Sequence, residues 1–229
     1  MPSIHDEEFG TITVRRNPKA RQVRIRVAPN GTLRASMPPY TPLMFLRRMI
    51  KTSRNELREM IATTLPKNTY EDGQSIGKKH TLIVRSGSKV SVEKKDRAII
   101  VTLPDTLTLR SKQVEAPLRE VVIKVLRAES KEYLPKRLEY LARHMNCTYE
   151  RVRFSHASSR WGSCSSTGTI SLNIALMKLP LRLIDYVIIH ELAHTKEMNH
   201  SQDFWDIVAE FDPEYKKHRK EMATQTPSI

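Results

Sequence analysis

The chain has 229 residues, of which 39% are hydrophobic and 28% charged, a lean but globular composition that suits one large domain or two small ones. No apolar run approaches the ~20 residues of a membrane span, the acidic opening MPSIHDEEFG is unlike a secretory signal, and Cys147 and Cys164 make no disulfide framework, so a cytoplasmic protein without a membrane partner is expected. The net charge of +14 lies wholly in residues 1–144, with 29 Lys/Arg against 15 Asp/Glu; this suggests an anionic partner, nucleic acid above all, with a Lys/Arg-rich soluble surface as the plainer alternative.

Residues Thr11 to Arg15 predict a strand. QVRIRVAPNGTLRASMP then alternates Val23, Ile25 and Val27, turns at Asn30-Gly31, and resumes with Leu33, Ala35 and Met37, the pattern of a hairpin. Arg24 and Arg26 fall on its polar face, where they contact phosphate or simply meet solvent. TPLMFLRRMIKTSRNELREMIATT predicts one helix, capped by Thr41, with Pro42 in its first turn and an apolar stripe of Leu43, Leu46, Ile50, Leu57 and Ile61. HTLIVRSGSKVSVEKKDRAIIVTLP holds three short strands. Residues 1–105 therefore read as a β-rich basic module, and 106–229 as a second domain.

From Ser111 the spacing of Val114, Leu118, Val121, Val122, Val125 and Leu126 predicts a helix, which Pro135 should kink or divide. ERVRFSH and GTISLNIALM read as strands on either side of the turn-rich loop SSRWGSCSSTG. Pro180 opens a helix that contains VIIHELAHTKEMNHSQDFW.

In that last stretch, His190 and His194 stand four residues apart, one turn up the same helix face. Two imidazoles so placed can bind one Zn2+, and Glu191 beside them can take a proton from a metal-activated water. A catalytic zinc wants three protein ligands and an open fourth position, and His200 is the third candidate. It cannot lie on the same straight helix, so the helix should end near Glu197 to Asn199, with Asn199 in a left-handed conformation at the bend. Ser201 is expected to cap a following helix, packed by Phe204, Trp205, Val208 and Phe211. Asp203 or Asp206 either orients an imidazole or is an ordinary surface carboxylate. The plain alternative to a metal site is a buried helix whose histidines are satisfied by protein. His156, before the RWGSC loop, either approaches the site or is a simple loop histidine, and Cys164 is a nucleophile, a ligand or, first, a small packed cysteine.

The run SRWGSCSSTGTISLNIALMKLPLRLIDYVIIHELAHTKEMNHSQDFW resembles the YgjP-like metallopeptidases, relatives of the SprT-like and WLM zincins. The resemblance is close over residues 151–212. It implies an α+β fold, a β-rich N-terminal module followed by a zincin-like helix-and-sheet metallopeptidase core. It also implies zinc at His190, His194 and His200, with Glu191 as catalytic base, and the strand TISLN at a sheet edge. An edge strand can hold an extended peptide by its backbone, which makes Ser171 and Asn173 candidate substrate-binding residues, with Arg160 at the rim. The expected function is a zinc-dependent hydrolase cleaving peptide bonds in a protein or peptide substrate. Two alternatives stay open: a protease brought to nucleic acid by its basic front half, and a non-catalytic zinc-stabilised binding module.

Overall fold

Period-two alternation at the start of the chain builds a four-stranded sheet. The computed structural model describes residues 3–28, 32–64 and 70–229. Strands β1 (Ser3–Asp6), β2 (Gly10–Arg16), β3 (Arg24–Val27) and β4 (Leu33–Met37) lie in the order β1-β2-β4-β3, with β2 and β4 parallel and the other pairs antiparallel. Ile4, Ile12, Val14, Leu33, Ala35 and Met37 share a core with Leu46, Ile50 and Leu57. The β3–β4 pair is the expected hairpin; its Asn30-Gly31 turn lies outside the described residues.

Two helices, α1 (Leu43–Thr52) and α2 (Arg54–Thr64), replace the single helix expected after β4. The chain breaks at Ser53, with φ −106° and ψ 27°. The Thr52 hydroxyl donates back to the carbonyls of Arg48 and Met49, both at 3.1 Å, a local bond that competes with helix continuation. Pro42, not Thr41, occupies the cap position of α1, and no side chain bonds there.

A second sheet has the order β5-β6-β8-β7, from β5 (Ser75–Ile76), β6 (His80–Ser86), β7 (Ser91–Lys95) and β8 (Ala98–Leu103). Its inward residues Leu82, Ile99 and Val101 share one core with Val114 and Leu118 of α3 (Lys112–His144). The sequence reading set a boundary at 105/106, whereas the backbone divides into compact units at 67/68. One physical reason is a buried carboxylate. Glu129 of α3 accepts from the backbone N–H groups of Lys78 (2.6 Å) and Lys79 (3.1 Å) and meets His80 Nδ1 at 2.7 Å. Gly77 presses against it with φ +68°, where a Cβ would stand 2.2 Å from Glu129 Oε2, so no side chain fits. These bonds tie the second sheet to α3, 50 residues downstream.

Pro135 does not divide α3, which runs for 33 residues through both Pro117 and Pro135. Buried Leu126, Leu134, Leu138 and Leu141 hold it on the core along its length, offsetting the ~3 kcal/mol an interior proline costs. A three-stranded sheet follows, from β9 (Arg151–Ser155), β10 (Gly162–Cys164) and β11 (Thr169–Asn173), in the order β10-β11-β9. Thus the strand TISLN, expected at an edge, is the central one, antiparallel to β10 and parallel to β9. A 3-10 turn (Ile174–Lys178) leads into α4 (Leu181–Ala193), then α5 (Gln202–Phe211) and α6 (Tyr215–Met222). No helix among the described residues is long and apolar enough to cross a membrane.

Candidate metal centre

Helix α4 is apolar on nearly every side, with Leu183, Ile184, Val187, Ile188, Ile189, Leu192 and Ala193 buried. Such a helix forms because the core surrounds it, and it carries His190, Glu191 and His194 into that core as polar exceptions. It ends at Ala193, earlier than the expected Glu197 to Asn199. The N–H groups of Lys196 and Glu197 bond Ala193 O, Asn199 N bonds Glu197 Oε1 at 3.2 Å, and Asn199 is not left-handed. Side-chain and backbone bonds inside the turn do the work that a positive φ would have done.

The chain then doubles back. Ser201 caps α5 by accepting from Phe204 N at 3.3 Å, with Asp203 in the first turn. The fully buried Phe204 ring lies beneath all three imidazoles, with centroids 5.0 Å from His190, 4.5 Å from His194 and 4.8 Å from His200. One candidate ligand atom from each histidine lies within 4.8 Å of the others. His190 and His200 face each other Nε2 to Nε2 at 3.2 Å, close to the about 3.4 Å expected between two ligands of a tetrahedral ion with Zn–N near 2.0–2.1 Å. Replacing Phe204 with Ala is expected to cost about 3–5 kcal/mol. Chemical denaturation should show that loss together with weaker metal retention, because the floor under the imidazoles goes with the ring.

The electrostatics suit a cation. Burial, reinforced by His194, His200 and Arg219, pushes His190 down to about 3, so its ring is neutral and offers a lone pair at neutral pH. Burial also lowers His194, partly offset by the Glu197 carbonyl. That carbonyl lies 3.1 Å from His194 Nδ1, an arrangement that leaves Nε2 for an ion. His190 Nδ1, by contrast, is buried without a hydrogen-bond partner among the described residues. Neither Asp203 nor Asp206 orients an imidazole; Asp206 accepts from Gln202 Nε2 at 2.7 Å. Two imidazole nitrogens held face to face beside a third ring make a donor set that a divalent cation fits.

Glu191 is 5% exposed, and burial pushes its carboxyl up to about 8, with Arg160 pulling the other way. Its wall is the RWGSC segment. A Cβ on Gly162 would stand 2.5 Å from Glu191 Oε1 and 2.7 Å from its Cγ, so the bare backbone of β10 packs on the carboxylate. Cys164, also in β10, has its thiol pushed up by burial and by the Glu191 charge, which disfavours a nucleophile. His156 is apart from the three-histidine cluster.

Asn173, expected to meet substrate, is 0% exposed. Its Nδ2 donates to the carbonyls of Ala157 (2.5 Å) and Arg160 (2.9 Å), and its Oδ1 accepts from Ala175 N at 3.0 Å. It therefore pins the loop that carries Arg160, Trp161 and Gly162. Ser171 is half-buried in the middle strand, between Ser163 and Arg153. Of the three candidate substrate residues, only Arg160 is exposed, and its charge acts on Glu191. Gly162, packed against Glu191, and Asn173, which pins the Gly162 loop, escaped sequence reasoning in these structural roles. A glycine flanked by Trp and Ser inside a turn-rich loop was the available signal, and it does not reveal what lies opposite.

A family model for the YgjP-like metallopeptidase domain matches residues 21–225. Two solved structures are similar over part of the chain. The metallopeptidase zymogen abylysin of Pyrococcus abyssi is 29% identical, with 39% of this chain and 91% of that one covered and a TM-score of 0.36. The metallopeptidase zymogen jannalysin of Methanocaldococcus jannaschii is 20% identical, with 39% and 92% covered and a TM-score of 0.35. No curated protein matches. With nearly its whole length matched by that one model, the chain belongs to the YgjP-like metallopeptidases and is a metal-dependent peptidase.

Proposed function

We propose that the protein is a zinc peptidase in which His190, His194 and His200 hold the ion and Glu191 is the general base. The observation that carries this reading is the meeting of three imidazoles over Phe204, two of them Nε2 to Nε2 at 3.2 Å, next to a buried carboxylate. When bound, the ion supplies Lewis-acid chemistry, polarising the scissile carbonyl and acidifying water. The Glu191 carboxylate takes the proton from the attacking water and returns it to the leaving nitrogen. The wall at Gly162 keeps that carboxylate in one place. Exposed His200 marks the open side, where substrate enters.

The substrate-binding edge moves from TISLN to β10. Among the described residues Gly162–Cys164 pairs with β11 on one side only, which leaves its outer N–H and C=O groups to hold an extended peptide beside Glu191. Arg160, just before that strand, contributes a cation to the rim. Free Cys147 and Cys164 suit a reducing, cytoplasmic setting.

The test is metal content together with casein cleavage. One zinc per chain is expected, turnover should stop on chelation and return with Zn2+, and His200→Ala should lose both ion and activity. Unchanged turnover in chelated protein would defeat the proposal. Zinc retained with no turnover on any peptide would leave a metal-stabilised binding module in its place.

A further inference from the structure

The outward face of the N-terminal sheet has a composition that folding alone does not explain. Strand alternation and register put nine side chains on it: Ser3, His5, Thr11, Thr13, Arg15, Arg24, Arg26, Arg34 and Ser36. Across the strands they form the short row His5·Thr11 and two rows that carry the arginines, Ser3·Thr13·Arg34·Arg26 and Arg15·Ser36·Arg24. None of the nine is acidic or aliphatic, and the one ring among them is that of His5 on edge strand β1. All four arginines are exposed, and none makes an ion pair or hydrogen bond with a described residue. Arg26 and Arg34 stand directly opposite each other, a like-charge pair that destabilises a sheet. Two of the three carboxylates at and just after the end of β1, Asp6 and Glu8, are bound to Arg54 and Arg58 of α2.

We propose that this face is a docking surface for the phosphodiester backbone of a nucleic acid, bound without regard to sequence. Guanidinium forks bind phosphate oxygens two at a time, and the interleaved serine and threonine hydroxyls add donors of the kind that contact phosphates. The two rows lie about 7 Å apart along the strands, with cross-strand neighbours about 5 Å apart, so the four cations spread over a flat area rather than closing on one small anion. A duplex, with one charge per ~1.7 Å of axis, is the dense, extended polyanion that such a grid matches. With no apolar side chain among the nine, the face has nothing to insert into a lipid bilayer. The one ring on the face, His5, sits on edge strand β1 opposite Thr11 and outside both arginine rows, so the arginines have no stacking platform among them and the contact falls on the backbone. This surface stands independently of the metal site and of any turnover there.

The test uses the full chain and labelled DNA duplexes of about 20 base pairs in two unrelated sequences, titrated at several salt concentrations from about 50 mM upward. Both duplexes should bind with closely similar affinity, and log K should fall with log salt with a slope of about −3 to −4 if all four arginines engage phosphates. The double variant Arg26→Gln/Arg34→Gln should reduce that slope by about 2 while keeping or raising Tm, since it relieves a repulsive pair. Arg47→Gln/Arg48→Gln, which removes the same charge from exposed positions of α1, should leave the slope unchanged. Absence of binding at the lowest salt, equal weakening by the two double variants, or tighter binding to polyglutamate or to anionic lipid vesicles than to duplex would overturn the proposal.

Discussion

Replacing Glu191 with Gln is expected to lower kcat by at least about 10²-fold while leaving zinc stoichiometry unchanged. Gln has the same shape, so the wall at Gly162 still fits, but it cannot accept a proton. The variant separates catalysis from folding because the carboxylate is a folding liability. Its proton affinity in the folded chain is raised, from 4.5 to about 8, chiefly by burial. A folded state that holds a proton more tightly than the unfolded chain is most favoured at low pH. Its advantage falls as pH rises from about 4.5 toward about 8. Chelated wild-type protein should therefore lose stability across that window from this group, and the Gln variant should not. Thermal melts at pH 5 and pH 8 with a chelator present would show it, and peptide cleavage on the zinc-loaded pair would show the catalytic loss. Equal turnover by the two proteins would remove Glu191 from the chemistry.

Gly162→Ala should nearly match that loss without touching an ionisable group. The new methyl would fall 2.5 Å from Glu191 Oε1, 2.7 Å from Cγ and 2.8 Å from Cδ. These are distances no carbon tolerates, so either the carboxylate leaves its position or β10 moves off β11. Overpacking of this kind costs about 1–3 kcal/mol in stability. The kinetic effect should be larger, because displacement of a catalytic group by about 1 Å can cost ~10²-fold. Zinc content should stay at the wild-type level, since the clash falls on the base and not on the three imidazoles. Full activity in the Ala variant would show that β10 does not position the base.

The metal centre was more legible in the sequence than its surroundings. His190, Glu191 and His194 announce themselves because helical spacing and a wall of aliphatic neighbours leave polar groups with no other reason to be buried. The return of the chain could be read from Ser201, whose cap on α5 is a local signal, and from Phe204 and Trp205 behind it. The bend itself could not be read, because it depends on Asn199 bonding the Glu197 side chain and on two amides sharing Ala193 O.

Long-range pairing hid the rest. TISLN alternates as an edge strand would, but its extra neighbour is three residues of a Gly-Ser-Cys loop with no hydrophobic pattern to betray a strand. Asn173 looks like a polar residue at a strand end, and only the carbonyls of Ala157 and Arg160 above it make it a latch. The grouping of residues 70–105 with the second unit likewise turns on Glu129, whose backbone partners lie about 50 positions earlier in the chain. Patterning reports which face of an element is buried; it does not report against what.

Diffraction from zinc-loaded crystals, recorded on both sides of the zinc absorption edge, tests the metal reading most directly. A single anomalous peak with nitrogen from residues 190, 194 and 200 at about 2.0–2.1 Å, and a fourth position open toward β10, is the predicted result. A peak elsewhere, or residue 200 turned to solvent while the other two hold the ion, would contradict it.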